Sequence, residues 1–454
     1  MTIIQKKIMP AAIARCVQRV DDKLSAARAK RQTYGDVVWN EGYGPHDARV
    51  YVKSGHGCTI IDDADNTFID MGLGAGSAML GHAHPAVVAA IAQQAARGTI
   101  YVAPNLLSHE LGVLLKNILP AFGGFVFCNS GGEATMRALR LARAITGRKK
   151  IGIFSGGWHG GHDMLLVEEA PQSSAAAPQA FFRTAGAPPE LLDLLVFLPY
   201  NHPNAFHLIE QHKHNLAMVM VEPAQGSNPR DDVGPFLKQL RKVTEQHNIL
   251  LGFDEVITGF RLALAGGQEY FGVVPDVATY GKVLGGGLPI GMVAARPDYI
   301  QHIRGGGHAP VFMGGTFSAN PLTMAAGLAT VRHLQAEQTT IYPTLSRQGA
   351  HLRHTINQFC ATQKISARMM GVGSFSRLMF TDQTIANRHE RDIFEVADDV
   401  QKAFYWCLLD CGVYVGTNRV VFLSTQHTDD VVNKVAQAFC DTLAMFWAEG
   451  MLTS

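Results

Sequence analysis

The 454-residue sequence has few of the features that define several other protein classes. It contains no Cys-x-x-Cys pair, and its seven cysteines are odd in number and scattered along the chain. Scattered, unpaired thiols are typical of a reducing compartment, so we predict a cytoplasmic protein without a disulfide framework. No apolar run reaches the roughly 18 residues that a membrane-spanning helix needs, so we expect no membrane partner.

Charge is also scarce. Charged residues make up 17% of the chain and the net charge is +1, which gives no basis for binding nucleic acid. The first 20 residues contain Lys6, Lys7, Arg15 and Arg19 and no acid, as organelle transit peptides do. The lack of a secretory apolar segment and the scarcity of serine favour an amphipathic first helix instead.

Length and composition predict a folded protein of two or three domains with extensive burial, since 47% of the residues are hydrophobic. From about residue 125, short apolar strands alternate with helices. This pattern is typical of an α/β fold whose mainly parallel sheet is buried on both faces. The strands predicted for this sheet are 125–128, 150–154, 216–221, 249–253 and 277–280.

The two ends of the chain differ in pattern from this central part. At the N-terminus we predict a helix over 1–35 and short strands within 50–71. Towards the C-terminus the pattern predicts strands at 365–380 and 412–424 and helices at 392–410 and 428–448. We therefore predict a large domain over 71–325, a C-terminal small domain over 326–454 and an N-terminal segment, 1–70, that belongs to the small α+β domain.

Lys282 is the most informative residue, because it lies in residues 280–289 (YGKVLGGGLP) among glycines and apolar side chains. Burial lowers the pKa of a lysine, and a neutral lysine can attack an aldehyde and hold it as an imine. Asp254 ends an earlier apolar segment, and a buried carboxylate can keep a pyridine nitrogen protonated. The two residues are the minimum protein equipment for pyridoxal phosphate (PLP) chemistry. The structural alternatives are an exposed loop lysine and an aspartate that caps a helix.

Residues 128–134 (CNSGGEA) lie between a predicted strand and a predicted helix. Glycines at a helix start let backbone N–H groups close on an anion at the positive end of the helix, and the Ser130 hydroxyl adds a donor. This makes Ser130, Gly131 and Gly132 a candidate phosphate cradle. An ordinary N-capped helix after a tight turn is the alternative.

Residues 155–163 (SGGWHGGHD) follow the next predicted strand. Trp158 among glycines is poorly placed to build a core and well placed to lie flat on a planar ring. His159 and His162 are three residues apart, as helical metal ligands often are. The surrounding glycines argue against a helix and no carboxylate or thiolate cluster accompanies them, so we predict no metal site.

Two further segments contain a polar residue at a position where it could contact a ligand. Glu222 follows an apolar strand, and in doubly wound sheets ligands bind at the carboxyl ends of strands; a carboxylate that caps the next loop is the alternative. Thr316 lies in residues 314–321 (GGTFSANP) just before a predicted helix. Its hydroxyl can donate to phosphate oxygens, and a helix cap is again the alternative.

The order and wording of these motifs resemble the class III aminotransferases of PLP fold type I, especially the glutamate-1-semialdehyde aminomutase-like branch. The resemblance spans about residues 50 to 430. Its motifs are 81–85 (GHAHP), 129–134 (NSGGEA), 158–160 (WHG), 222–223 (EP), 254–256 (DEV), 281–289 (GKVLGGGLP), 315–316 (GT), 422–424 (FLS) and 426–428 (QHT).

The resemblance implies a role for each matching residue. Lys282 is similar to the lysine that forms the Schiff base and shuttles protons, and Asp254 to the partner of the pyridine nitrogen. Trp158, where the family usually has Tyr or Phe, matches the residue that stacks on one face of the cofactor ring. Val256 would pack on the other face of the cofactor ring. Ser130, Gly131 and Gly132 match the phosphate cradle, and Glu222 is expected beside the cofactor. Thr316 matches a residue that such enzymes place against the cofactor of the neighbouring subunit, which implies a homodimer with shared active sites.

The sequence departs from the family pattern mainly where substrate would bind. Gly132 replaces a threonine of the cradle, and Ile257 replaces a glutamine of many 2-oxoglutarate-using relatives. The aminomutases have an acidic residue in the loop at 416–421, where this chain has Arg419. They also have an arginine near the position of Asn40 and a tryptophan near Ala75. Arg419 is therefore a candidate carboxylate anchor through a bidentate fork; a solvated loop charge is the alternative.

From this resemblance we predict a PLP-dependent aminotransferase that moves an amino group from an amino acid or amine to a 2-oxo acid. The nearest alternative is an intramolecular aminomutase of the glutamate-1-semialdehyde type. An amino-acid racemase on the same fold is a third possibility. A non-catalytic PLP-binding regulator is disfavoured by the intact pair of Lys282 and Asp254 and by the lack of a DNA-binding motif.

Overall fold

The computed structural model describes residues 9–34, 50–305, 309–416 and 419–452. The helices are α1 (Ala11–Tyr34), α2 (Leu73–Gly76), α3 (Pro85–Ala95), α4 (Leu106–Ile118), α5 (Gly131–Thr146), α6 (Asn204–His212), α7 (Gly234–Gln246), α8 (Gly267–Phe271), α9 (Pro297–Arg304), α10 (Pro321–Ala336), α11 (Gln338–Gln363), α12 (Arg388–Phe394), α13 (Asp398–Asp410) and α14 (Asp429–Ala448). Short 3₁₀ helices cover Pro189–Leu194 and Lys282–Gly285.

The strands are β1 (Val52–His56), β2 (Thr59–Asp62), β3 (Thr67–Asp70), β4 (Gly124–Cys128), β5 (Lys150–Phe154), β6 (Val167–Glu169), β7 (Ala180–Phe182), β8 (Leu195–Leu198), β9 (Leu216–Val221), β10 (Leu250–Asp254), β11 (Val277–Gly281), β12 (Gly291–Ala295), β13 (Arg368–Val372), β14 (Phe375–Met379), β15 (Val413–Tyr414) and β16 (Val420–Phe422).

A seven-stranded sheet carries the candidate site. Its strand order is β4-β12-β11-β10-β9-β5-β8. The run from β11 to β8 is parallel, and β12 is antiparallel to both of its neighbours. Strands buried on both faces read as continuous apolar runs, and all six residues of β9 are buried. This is the mainly parallel α/β architecture predicted from the sequence.

Helix α5 shows how local sequence sets an element at this sheet. Ser130 is its N-cap and accepts a hydrogen bond from the Glu133 N–H at 3.1 Å. Gly147 ends it in the left-handed conformation at φ 68°. The buried face of the helix packs into the core cluster of this sheet through Ala134, Ala138 and Leu141, none of which is exposed.

Contacts divide the chain into two compact units. We call Pro85–Tyr342 with Ile385–Glu390 the central unit; it holds the seven-stranded sheet and the β6–β7 hairpin. Met1–His84, Pro343–Thr384 and Arg391–Ser454 form the terminal unit, which holds the sheets β1-β2-β3-β15 and β13-β14-β16. None of the helices in the described ranges combines the length and apolarity needed to cross a membrane.

Three elements predicted as continuous are divided. The segment predicted as one strand over 365–380 is the hairpin β13–β14, because Gly373 turns the chain at φ 49°. The strand predicted over 412–424 is two short strands, β15 and β16, which belong to different sheets. The helix predicted over 392–410 is replaced by α12 and α13.

Candidate active site

The predicted site residues of the central unit gather at one edge of the seven-stranded sheet. Strands β4, β5, β9, β10 and β11 end at the same edge, because β12 is the one strand of this sheet that runs the opposite way. Ligands of such sheets bind outside the carboxyl ends of the strands. The residues at or just beyond these ends are Ser130, Trp158, Glu222, Asp254 and Lys282.

Asp254 is the last residue of β10 and is buried, with 3% of its surface exposed. Its Oδ2 lies 2.8 Å from His159 Nδ1. Its Oδ1 accepts hydrogen bonds from the Val256 N–H at 3.1 Å and from the Thr279 hydroxyl at 3.2 Å. Three hydrogen-bond partners hold the carboxylate in one orientation at the strand end.

His159 is the buried partner of Asp254. Burial disfavours its charged form, but the hydrogen bond to Asp254 and the charges of Asp254 and Glu222 outweigh it and raise the pKa of His159. The two side chains therefore form a short, buried histidine–aspartate contact at the sheet edge. His162, which the spacing had placed beside it as a second candidate ligand, instead lies 3.2 Å from the Thr135 hydroxyl through Nε2.

Lys282 follows β11 and opens a 3₁₀ helix with φ 45°. Lysine rarely adopts this left-handed conformation, and such strain persists where the surrounding structure enforces it, often at functional sites. Burial lowers the pKa of the Lys282 amine, although Asp254 and Glu222 oppose the shift. The amine is therefore neutral in a larger fraction of molecules than an exposed lysine would be, which suits a nucleophile.

Glu222 connects β9 to the loop that carries Trp158. Its Oε2 accepts the Trp158 N–H at 2.9 Å, and its Oε1 accepts the Gly226 N–H at 3.2 Å. Burial raises the pKa of Glu222 to about 7, and nearby His159 opposes the shift. The loop-capping alternative is thus present in the structure, and contact of Glu222 with a cofactor stays a prediction.

The candidate phosphate cradle is a bare backbone at the start of α5. The Ser130 oxygen accepts the cap hydrogen bond, so its hydroxyl hydrogen can still be donated. A Cβ on Gly131 would lie 2.9 Å from Val256 Cγ2, and one on Gly160 would lie 2.4 Å from Gly132 Cα. Side chains are therefore kept away from the first-turn N–H groups, which α-helix geometry leaves without intrahelical partners.

Val256 lies between the cradle and the lysine strand. Besides its contact with the Gly131 position, its Cγ1 lies 3.4 Å from where a Cβ on Gly281 would stand. Trp158 is 38% exposed, and the guanidinium of Arg183 lies 5.7 Å from the centroid of its ring. An apolar side chain and an exposed indole thus lie at the same sheet edge as Asp254 and Lys282, and their contact with a cofactor ring stays a prediction.

Thr316 is exposed on a loop that α5 holds in place. The buried Arg137 donates hydrogen bonds to the carbonyls of Met313 and Gly314, the latter at 2.9 Å, and pairs with Glu133 at 3.0 Å. The loop is therefore ordered through Arg137 while Thr316 faces outward. Its predicted contact with a second subunit's cofactor stays a prediction.

Arg419 belongs to the terminal unit and has partners there. It forms an ion pair with Asp398 and donates to Gln401 Oε1 at 2.6 Å. These contacts agree with a structural role, and the carboxylate-anchor role stays a prediction. Asn40, the position compared with the aminomutase arginine, lies outside the described residues, as do Thr417 and Asn418 of the 416–421 loop.

The side chains at this sheet edge fit PLP. They supply an amine with a lowered pKa, a buried carboxylate with fixed orientation and an open helix N-terminus. In addition, two buried polar atoms, His159 Nε2 and Asn129 Oδ1, have no hydrogen-bond partner among the described residues. Buried polar atoms without partners are rare and indicate room for ligand or water at this edge.

Sequence reasoning missed three residues that shape the site. His159 was weighed as a metal ligand, although its place directly after Trp158 was a usable signal. Thr279, which donates to Asp254, pairs with it in register on the adjacent strand β11, and only the pairing reveals this. Arg137 lies one helical turn after Glu133, a spacing that predicts their ion pair but not the loop carbonyls.

Comparisons with known proteins agree with this geometry. The family model described as aminotransferase class-III matches residues 42–439. The chain is 36% identical over 402 residues to a glutamate-1-semialdehyde 2,1-aminomutase of Methanocaldococcus jannaschii, covering 86% of this chain and 90% of that one.

Two solved structures are similar over almost the whole chain. One is an omega-transaminase from Sphaerobacter thermophilus, with 29% identity, a TM-score of 0.82 and coverage of 98% of this chain and 99% of that one. The other is a beta-phenylalanine aminotransferase from Variovorax paradoxus, with 27% identity, a TM-score of 0.84 and coverage of 97% and 98%. The fold and cofactor class predicted from the sequence are confirmed, and the chain belongs to the class III aminotransferase family of PLP-dependent enzymes.

Proposed function

We propose that this protein is an aminotransferase that moves an amino group from an amino acid or amine to a 2-oxo acid. One observation carries the proposal: Lys282, with its lowered pKa, directly follows strand β11, and the buried, triply hydrogen-bonded Asp254 ends the adjacent strand β10 at the same sheet edge. A nucleophilic amine and a fixed carboxylate in this arrangement are what PLP-dependent transfer requires of a protein.

Each residue of the edge has a proposed task in holding the cofactor. Lys282 would hold it covalently, and Asp254 would hold the ring nitrogen. Ser130, Gly131 and Gly132 would bind its phosphate, and Trp158 and Val256 would cover the two ring faces. Bound there, PLP supplies a carbonyl that captures amines and a ring that delocalises electrons from the substrate carbon.

The chain's own part in the reaction is proton control. The Lys282 amine, whose pKa burial lowers, would accept the proton from the substrate carbon as a general base and donate it again as a general acid. Asp254, held in place by His159, would partner the ring nitrogen. Glu222 holds the backbone of Trp158 and so fixes the stacking ring over the reacting atoms.

The second candidate is an intramolecular aminomutase, which the names of the curated relatives favour: sequences 33–37% identical to this chain are glutamate-1-semialdehyde aminomutases. Two sequence positions that differ from the aminomutase pattern support the aminotransferase. Ala75 stands where the aminomutase pattern has a tryptophan, and the loop at 416–421 has Arg419 where that pattern has an acid. We therefore keep the aminotransferase as the proposal.

Absorbance spectroscopy separates the two. Purified protein loaded with PLP is mixed with a panel of amines and amino acids without any 2-oxo acid, and the visible band of lysine-bound PLP is followed. An aminotransferase stalls after one half-reaction, so one donor should convert the cofactor fully to its amine form. A band that persists while glutamate-1-semialdehyde turns over would replace the proposal with the aminomutase. A persisting band with racemised amino acid would replace it with a racemase.

We also propose a homodimer with shared active sites. Large apolar side chains are exposed around the Thr316 loop: Val102 80%, Leu106 78%, Phe312 73% and Phe317 60%. Asn105 ties the two segments together by donating to the Ala319 carbonyl at 2.9 Å. Apolar patches of this kind mark protein interfaces, and a second copy seated here would receive Thr316 beside its phosphate cradle.

A mixed dimer tests the shared site. Lys282→Ala and Thr316→Val chains are co-expressed with different tags, and the hybrid is isolated and sized by light scattering. Only a hybrid that shares sites combines Lys282 of one chain with Thr316 of the other, so it should exceed both parent homodimers in activity. A monomer, or a hybrid no more active than Thr316→Val alone, would contradict the proposal.

All seven cysteines are free thiols, which supports the proposed cytoplasmic location.

A further inference from the structure

A cavity of about 200 Å³ lies against helix α5 in the central unit, and no residue assigned above to the cofactor lines it. Four of its residues are on α5 and two are on the loop that follows Trp158 and His159. The lining residues are Met136, Leu139, Arg140, Arg143, His162 and Met164.

The cavity has positive charge that the described protein does not neutralise. Arg140 donates to the Phe312 carbonyl at 2.7 Å, and Arg143 donates through Nε to the Lys149 carbonyl at 2.9 Å. Arg143 Nη2 is buried and has no hydrogen-bond acceptor among the described residues. A buried N–H group without an acceptor is costly, so the partly buried Arg143 and the exposed Arg140 beside it fit an anion that the protein alone does not supply.

Burial is the cause that lowers the pKa of Arg143, and the guanidinium nevertheless stays protonated at neutral pH because arginine titrates so high. His162 adds no charge: burial, followed by the charge of His159, lowers its pKa to about 4. The cavity therefore presents two arginines one turn apart on α5 at any pH near neutrality.

The rest of the lining is apolar. Met136, Leu139 and Met164 supply thioether and alkyl surface next to the guanidinium groups, and methionine adapts readily to ligands of different shape. Ligand pockets are usually about 300–1,000 Å³, so this one suits a small molecule. A bare phosphate would leave the apolar wall unused, whereas a carboxylate on an apolar body would use both parts.

We propose that this cavity binds a small monocarboxylate with an apolar body, its carboxylate on Arg143 and Arg140 and its body against the two methionines. Thr135 would connect this site to the cofactor edge. Its hydroxyl donates to the His159 carbonyl at 2.5 Å and also contacts Nε2 of His162, which lines the cavity. Binding here does not depend on which amino-transfer reaction the enzyme performs.

Methyl NMR reports on this cavity without using activity. PLP-loaded protein labelled with ¹³C at the methionine methyl groups is titrated with phenylacetate, with uncharged phenylacetamide and with inorganic phosphate. The Met136 and Met164 signals are assigned from Met136→Leu and Met164→Leu variants. Phenylacetate should shift both signals saturably, whereas phenylacetamide and phosphate should bind about tenfold more weakly or not at all, since each lacks one of the two contacts.

Arginine variants then test the assignment of the charge. Arg143→Gln should weaken phenylacetate about tenfold or more, because it removes the bidentate fork. Arg140→Gln, a milder change, should weaken it less. Arg15→Gln is the charge-matched control, since Arg15 is exposed on α1, and it should leave the affinity unchanged. The methyl spectrum itself shows whether each variant is folded.

Several results would overturn the proposal. One is no shift of the Met136 and Met164 signals at saturating phenylacetate, as expected if a second copy of the chain fills the cavity. Equal affinity for phenylacetamide would mean apolar binding only. Unchanged phenylacetate affinity in both Arg143→Gln and Arg140→Gln would place the bound carboxylate elsewhere.

Discussion

At the scale of single residues, the proposed chemistry rests on how tightly Asp254 is held. Its two oxygens are met by an imidazole, a hydroxyl and a backbone N–H, so a ligand nitrogen would meet a carboxylate that needs no reorientation. Preorganised charge of this kind lowers a barrier without any cost at the moment of reaction. Asp254 and Lys282 therefore have separate roles in the proposed chemistry, and each role can be tested by its own substitution.

Asp254→Ala should reduce kcat by about a hundredfold, because losing a shift of about two pKa units at the ring nitrogen is worth roughly 2.7 kcal/mol. Steady-state kinetics with the donor identified by spectroscopy measures this. Asp163→Ala is the matched control, since Asp163 is exposed on the same loop as His162, and its kcat should equal that of the wild type. Near-native kcat in Asp254→Ala would remove Asp254 from the mechanism.

Glu222 should make stability depend on pH. Burial raises its pKa in the folded state from an ordinary 4.5 to about 7, so the unfolded chain releases this proton first as the pH rises. The stabilising contribution is complete below about pH 4.5 and is lost towards pH 7, for a total of about 3 kcal/mol. Glu222→Gln lacks this titration.

Urea denaturation of wild type and Glu222→Gln, without PLP, at pH 5 and pH 8 isolates the effect. Glutamine cannot accept both the Trp158 and Gly226 N–H groups, so the variant carries a constant penalty. That penalty cancels when the two pH values are compared. The variant should lose less stability than the wild type between pH 5 and pH 8; an equal loss would show that the Glu222 proton is not linked to folding.

The sequence predicted Lys282, Asp254 and the cradle glycines because each has a chemical signature in its own few neighbours. It did not reveal His159 as the partner of Asp254, or Thr279 as a second donor, because both contacts need the sheet register and the return of a loop. Arg419 is the opposite case. Its sequence context indicated a carboxylate anchor. Asp398 and Gln401, which bind its guanidinium in the structure, lie 21 and 18 positions earlier in the chain, so the sequence did not reveal these contacts.

At the scale of elements, the phosphate cradle depends on a helix start that carries no side chains. Gly131→Ala should raise the dissociation constant of PLP about tenfold to a hundredfold, because the new methyl would lie 2.9 Å from Val256 Cγ2 and overpacking costs about 1–3 kcal/mol. Fluorescence titration of PLP-free protein measures it. Gly161→Ala, whose Cβ would meet open space, is the control, and equal affinities in the two variants would refute the cradle.

Element prediction from sequence worked where one pattern dominates. Buried strands such as β9 are uninterrupted apolar runs, and α5 has a serine at its start and a glycine at its end. It failed where a short turn interrupts a pattern, as at Gly373 between β13 and β14. It also passed over β8 and β12, whose four and five residues are indistinguishable from apolar loop in a linear reading.

At the scale of the whole molecule, the residues proposed to hold PLP all belong to the central unit, whereas Arg419 belongs to the terminal unit. Hydrogen exchange with mass spectrometry can separate these contributions. At short labelling times, PLP should slow exchange in peptides covering 129–132, 158–160 and 281–285, because local openings govern exchange there. Peptides from the β13–β14 hairpin should be unaffected.

A second addition tests the proposed anchor in the same experiment. An amino acid that converts the cofactor should bring no new protection near 419–422 if Arg419 stays with Asp398 and Gln401. If Arg419 takes the substrate carboxylate, protection should extend to that peptide and disappear in Arg419→Gln. Protection that persists in Arg419→Gln would assign the substrate carboxylate to another residue. Arg419 would then keep only its structural role.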